Sequence, residues 1–195
     1  MKIEARTFSL PDSYSGQLTT ETITEHINLY NGYVKNTNYI LEKIQADFKK
    51  PEENTYEIGE LYRRFSFEYN GVKNHELFFE QLEGGASTIP IDSKLYTLIS
   101  ETYGTWNEWV QQFTTLAKTR GIGWAVLWYD SERNAVYNSW VDEQHLGQLN
   151  GCHFIYGIDM WEHSYVHDYL PSGKALYIKE YIDNTNWNTV ASRLQ

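Results

Sequence analysis

The sequence has little cysteine, little positive charge and no long hydrophobic run. Its single cysteine, Cys152, excludes an intramolecular disulfide and a cysteine metal cage, which suits a reducing compartment. With 16 Lys and Arg against 26 Asp and Glu, the net charge of −10 argues against nucleic acid and anionic membranes as partners. No stretch approaches about 18 consecutive apolar residues, and no apolar run follows the first positive charges. We therefore expect a soluble, cytoplasmic protein.

Aromatic residues are abundant. The 195 residues are 41% hydrophobic and include 7 Trp, 16 Tyr and 8 Phe. A chain of this length can bury a full core in one compact unit or in two small domains, and most of these rings must pack within it.

The amino-terminal part shows helical spacing of apolar residues. This spacing predicts one long helix over about 19–48 and a second over about 56–82, separated by a polar interval that contains Pro51. Two long helices with a short connection predict an antiparallel helical hairpin. The glycine-rich segment 83–87 is the clearest linker. We expect an amino-terminal helical domain, 1–84, and a carboxyl-terminal domain, 85–195.

In the carboxyl-terminal part, the spacing of the apolar residues changes from the helical period to alternation at every second residue, and then back to the helical period. Predicted strands cover 124–129, 135–141 and 152–158, and predicted helices cover 93–103, 105–119, a segment from 162 onward, 175–183 and 186–194. The predicted fold class is α+β: an N-terminal α-helical hairpin followed by a C-terminal domain with a three-stranded antiparallel sheet and several helices.

The segment Asp159–Tyr165, DMWEHSY, places a carboxylate and an imidazole four residues apart, at the expected end of a strand. Asp159 and His163 can reach one ion from this position, and a carboxylate with an imidazole suits iron or manganese. The alternative is a buried ion pair at a strand-to-helix junction. The Trp and Glu between the two residues favour the metal site, because with them the segment resembles a known metal-site signature.

DMWEHSY closely resembles the signature of the iron/manganese superoxide dismutase family. Three further segments are similar to family motifs and extend the resemblance over nearly the whole chain: Gly104-Thr105-Trp106, Gly121-Ile122-Gly123-Trp124-Ala125 and Asn186-Trp187. The resemblance implies four metal ligands, His26, His75, Asp159 and His163. The other three histidines, His145, His153 and His167, are expected to be ordinary surface or core residues.

The register of the first helix differs from the family pattern. The family has a Tyr-Val pair eight residues after its first ligand, whereas Tyr33-Val34 follows His26 after seven. In a regular helix, His26, Tyr30 and Tyr33 share one face, so Tyr33 can still point toward the metal as the channel tyrosine. Two alternatives stay open: Glu25 could replace His26 as the ligand, and Tyr30 could replace Tyr33.

The resemblance also implies a hydrogen-bond donor beside the ion, supplied as Gln or His from one of two places. The position four residues before His75 is Gly71, so we expect the donor to come from the carboxyl-terminal domain, as Gln144 or, as the next choice, His145. Tyr33, Gln144 and His145 are therefore the candidate catalytic residues. In the family that the chain resembles, a glycine at the first place with a glutamine at the second slightly favours manganese over iron, and we expect the same here.

Other family positions are changed here. The usual contact across the dimer is replaced by Tyr30 and Val166, but Glu162 can still bridge to a second subunit, and we expect a homodimer. The usual cation at the substrate entrance is replaced by Gly173, with Lys174 as the nearest substitute.

The function implied by the resemblance is dismutation of superoxide to dioxygen and hydrogen peroxide. One Mn or Fe ion per chain would cycle between its +3 and +2 states. One alternative is a metal-binding relative of the fold with a binding or structural role and little dismutase activity. Another is a non-haem iron enzyme that acts on dioxygen.

Overall fold

The computed structural model describes residues 2–194 and begins with an extended arm followed by two long helices. Helix α1 is Thr20–Asp47 and helix α2 is Thr55–Glu80. The Thr19 side chain accepts a hydrogen bond from the Thr22 N–H at 3.2 Å, which satisfies an otherwise unpaired donor of the first turn of α1. Both predicted helices are confirmed, with ends one or two residues from the predicted limits.

The two helices run antiparallel. Asn36 on α1 donates to Glu68 on α2, and Tyr30, earlier on α1, donates to Glu76, later on α2. Residues later in α1 therefore contact residues earlier in α2, which is the pattern of the predicted antiparallel hairpin. Every residue of α1 is α-helical, so the helix has the regular register.

Three antiparallel strands form one sheet in the order β2-β1-β3. Their bounds are β1, Gly123–Asp130; β2, Ala135–Asp142; and β3, Cys152–Asp159. The central strand β1 is buried along its whole length, which explains its unbroken run of apolar and aromatic residues. In the turn after β1, Asn134 has a φ of 49°, a left-handed conformation that asparagine tolerates. The predicted α+β class and sheet are confirmed.

Four further helices pack around the sheet: α3, Lys94–Tyr103; α4, Trp106–Ala117; α5, Lys174–Asn184; and α6, Trp187–Ser192. The helix predicted from residue 162 onward is wrong in extent, since only a 3-10 turn, Glu162–Ser164, forms before a second 3-10 turn at Pro171. Tyr165 and Tyr169 beyond the first turn are buried against Tyr177 of α5, and this packing prevails over the local helical preference.

Gln81, just after α2, connects the helical hairpin to β3. Its amide donates to the Gly157 carbonyl and accepts from the Gly157 N–H, both at 2.9 Å, so a side chain takes the place of a neighbouring strand. The predicted domain boundary at residue 84 stays a prediction. No helix within residues 2–194 is long and apolar enough to cross a membrane.

Candidate metal centre

Four side chains from separate elements meet at one buried point. His26 lies on α1, His75 on α2, Asp159 at the end of β3 and His163 in the 3-10 turn that follows. Asp159 Oδ2 lies 3.1 Å from His26 Nε2, 3.3 Å from His163 Nε2 and 3.5 Å from His75 Nε2. One ligand atom from each residue lies within 4.8 Å of all the others. The structure thus brings together the four residues predicted as ligands.

The centre is almost closed to solvent. Asp159, His26 and His75 are fully buried, whereas the His163 side chain is 23% exposed and marks the open side. Burial alone would raise the pKa of Asp159, but the His163 and His26 imidazoles hold it well below its usual range. The carboxylate is therefore ionised. A buried anion of this kind requires nearby positive charge.

His75 shows that the four residues fit a cation. Burial, reinforced by the neighbouring His26, lowers the pKa of His75 to about 3, so its ring is neutral. Its Nδ1–H donates to the Gly71 carbonyl at 2.6 Å, so the proton is on Nδ1 and Nε2 carries a lone pair. Within residues 2–194, His75 Nε2 has no hydrogen-bond partner. A lone pair facing a carboxylate oxygen is repulsive unless a cation lies between them, and this donor set suits manganese or iron.

Beside the centre, three side chains form a hydrogen-bonded chain. Gln144 is completely buried, accepts from Trp124 Nε1 at 2.9 Å and donates to the Tyr33 hydroxyl at 3.0 Å. The Tyr33 ring lies 5.0 Å from the His75 ring. Gly71 leaves the room for it, since a Cβ at Gly71 would lie 2.4 Å from the ring. Tyr33 and Gln144 thus lie beside the group of four, and their predicted catalytic roles stay predictions.

The alternative residues lie elsewhere. Tyr30 is fully buried, and its hydroxyl accepts from the Arg6 N–H and donates to Glu76, away from the cluster. Glu25 lies on the exposed side of α1. His145 packs with its ring 5.6 Å from the Phe67 ring and is outside the group of four.

Aromatic side chains enclose the centre. Phe79 lies 5.1 Å from His26, Trp124 lies 5.1 Å from His75, and Trp161 stacks on His163 at 5.8 Å. These rings exclude water and lower the local dielectric constant, which strengthens electrostatic interactions at the centre.

One cavity of about 540 Å³ reaches the centre from outside, and Tyr33, His163, Trp161 and Phe67 are among its lining residues. We call it the entry cavity. Arg64 also lines it, and neither Phe67 nor Arg64 is among the site residues predicted above. Helical spacing from Gly71 (i−4 and i−7) places both on the same face of α2.

Lys174, the predicted substitute for the entrance cation, is not among the residues that line the entry cavity. Its ammonium group donates to the Thr119 carbonyl at 2.9 Å and lies 5.8 Å from the Trp140 ring. The desolvation of this half-buried site lowers the pKa of Lys174.

Comparisons with known proteins agree with this geometry. Residues 91–193 match the family described as "Iron/manganese superoxide dismutases, C-terminal domain". A manganese superoxide dismutase of Haloferax volcanii is 30% identical over 94% of this chain and 90% of its own length. Iron superoxide dismutases of Cupriavidus metallidurans (30% identical, 90% and 88% covered) and Saccharolobus solfataricus (27%, 100% and 97%) are also similar. The chain belongs to the iron/manganese superoxide dismutase family.

Proposed function

We propose that this protein is a superoxide dismutase that converts superoxide to dioxygen and hydrogen peroxide with one Mn or Fe ion per chain. The ion would be held by His26, His75, Asp159 and His163. The observation that carries the proposal is the single oxygen of Asp159 that faces the Nε2 atoms of all three histidines. When bound, the metal supplies electron exchange by alternating between its +3 and +2 states.

The protein's own residues control protons and access. Burial, followed by the nearby Asp159 charge, raises the pKa of Tyr33 above its usual value, so its hydroxyl keeps its proton at neutral pH. Gln144 holds that hydroxyl in place, and Trp124 in turn fixes the Gln144 amide. Tyr33 thus holds a proton at the inner end of the entry cavity, where it can serve an arriving anion. We assign the role of donor beside the ion to Gln144 rather than to His145.

Three finer features belong to the same proposal. Manganese is slightly preferred, because Gly71 and Gln144 form the arrangement that favours it in the family resemblance. A homodimer is supported by Glu162, which is exposed next to His163 and free to face a second subunit. A cytoplasmic location is supported by Cys152, which is a free thiol.

The hydrogen bonds that link Tyr33, Gln144 and Trp124 favour a dismutase over a metal-binding relative with a structural role. A structural site needs ligands, but it needs neither a protonated tyrosine nor a cavity open to solvent. Four protein donors also leave less room for the open positions that a dioxygen-activating iron enzyme requires.

The test measures bound metal and superoxide consumption in the purified protein. We expect close to one Mn or Fe per chain with activity, and loss of both in His75→Ala. His153→Ala is the matched control, because His153 is exposed on β3 and should keep both. Full metal occupancy in His75→Ala would contradict the ligand assignment, and a metal-loaded wild type without activity would contradict the proposed function.

A further inference from the structure

Arg64 is the one lysine or arginine among the residues of the described chain that line the entry cavity. Two carboxylates, Glu68 and Glu143, line the same cavity. The net charge of the whole chain is −10. Long-range forces therefore repel an anion from this surface, and a cation at the cavity mouth has a large relative effect on its approach.

The guanidinium of Arg64 is held in place by two neighbours. Its Nε–H donates to Glu68 Oε1 at 2.8 Å, and its Cζ lies 3.6 Å from the centre of the Phe67 ring. Phe67 is itself part of the cavity wall, with its ring 6.0 Å from Tyr33 and 6.4 Å from Trp161. Arg64 is thus fixed on the wall that leads to the centre.

The pairing with Glu68 does not exhaust the donors of Arg64. Only Nε is used, and within residues 2–194 the two terminal nitrogens make no hydrogen bond. A guanidinium carries five N–H groups, so four remain for a ligand. Glu68 is buried and also receives a hydrogen bond from Asn36 at 3.3 Å, so two donors partly satisfy its carboxylate. The Arg64 side chain, by contrast, is 51% exposed.

We propose that Arg64 forms a docking site for small monovalent anions at the mouth of the entry cavity, from which they pass to Tyr33 and the metal centre. This inference rests on the proposed function for the identity of the natural anion, superoxide. The site uses Arg64 in place of Lys174, whose ammonium group is engaged with the Thr119 carbonyl outside the cavity.

The size of the effect follows from Coulomb's law. A unit charge that acts over about 10 Å, in a medium of effective dielectric constant about 40 to 80, changes a binding constant or an encounter rate by about two- to fourfold, and we take this range as the expected effect of removing the Arg64 charge. Salt screens this interaction, since the Debye length falls from about 30 Å at 0.01 M to about 3 Å at 1 M.

The test uses azide as the anion and the metal-loaded protein, with the azide dissociation constant read from the visible absorption of the oxidised metal. Arg64→Gln should weaken azide binding about two- to fourfold at low ionic strength, and the loss should vanish near 1 M salt. Glu68→Gln, which removes the opposing charge, should strengthen it. Arg64→Lys keeps the positive charge and should retain most of the wild-type affinity for azide.

Arg63→Gln is the matched control. Arg63 is the adjacent residue of α2, is 74% exposed, pairs with Glu60 and does not line the entry cavity. Arg63→Gln changes the net charge by the same amount as Arg64→Gln. Because Arg63 lies outside the entry cavity, azide binding should change much less than in Arg64→Gln. Equal losses in the two variants would overturn the proposal, because they would reflect overall charge alone. An effect of Arg64→Gln that persists at high salt would also overturn it.

The two proposals can fail separately. If the metal-loaded protein shows the azide pattern but does not consume superoxide, the docking site stands and the proposed function fails. If it consumes superoxide but Arg64→Gln and Arg63→Gln are alike in azide affinity and in low-salt rate, the dismutase stands and the docking site fails.

Discussion

Gly71→Ala tests the packing that supports the proposed catalytic tyrosine. Gly71 lies inside α2, where alanine is ordinarily favoured over glycine by about 1 kcal/mol. Here a Cβ would lie 2.4 Å from Tyr33 Cδ1 and 2.8 Å from its Cγ and Cε1. Contacts this short are not tolerated, so the ring has to move.

The Tyr33 ring has little room to move. It lies 5.0 Å from the His75 ring and 6.0 Å from the Phe67 ring, and its hydroxyl is hydrogen-bonded to Gln144. Overpacking of a filled site costs about 1–3 kcal/mol, and loss of the hydrogen bond costs about 1 kcal/mol more. These costs exceed the helical gain, so we expect Gly71→Ala to be destabilising by about 1–3 kcal/mol. We also expect lower activity, because the hydroxyl leaves its position.

The assay is chemical denaturation of the metal-loaded protein together with superoxide consumption at equal metal content. Gly59→Ala is the matched control, since Gly59 is an exposed residue of the same helix and no atom lies within 4 Å of the place that its Cβ would take. It should be neutral or stabilising by up to about 1 kcal/mol, with unchanged activity. If both variants are equally stable and equally active, Tyr33 does not pack on Gly71 and the reasoning is refuted.

Two further predictions address the helix register and the connection between the two halves of the chain. His26→Ala should lose bound metal, whereas Glu25→Ala should keep it; the opposite result by elemental analysis would restore the alternative register. Gln81→Leu should lower the free energy of unfolding by about 2–4 kcal/mol, because it leaves both buried backbone groups of Gly157 without partners. Gln112→Leu, on the exposed side of α4, should change it by less than about 0.5 kcal/mol; similar losses in both would contradict the role of Gln81.

Local sequence predicted the elements well where one periodicity extends over many residues. The two long helices and the three strands follow from apolar spacing, because the side chains that face the core recur with the period of the backbone. The segment after Glu162 failed for the opposite reason. It is short, and the burial of Tyr165 and Tyr169 against α5 determines its conformation.

The choice between alternative site residues needed the tertiary structure. Spacing along α1 allows Tyr30 and Tyr33 to share a face with His26, but it does not say which of them meets Gln144 from a distant loop. The packing of α1 on α2 decides this, since Gly71 leaves room for Tyr33 while Tyr30 turns to Glu76.

The sequence by itself determined the kinds of metal ligand that this protein offers, which are the carboxylate of Asp159 and the imidazoles of three histidines. It also determined the α+β fold class and the negative net charge. Only the tertiary structure decided which side chains line the path by which an anion reaches the metal centre. A cation's effect depends on its distance from the anion's path, and distances between residues far apart in the chain are set by packing rather than by spacing. The sequence therefore suggested Lys174, and the fold instead places Arg64 on the wall of the entry cavity.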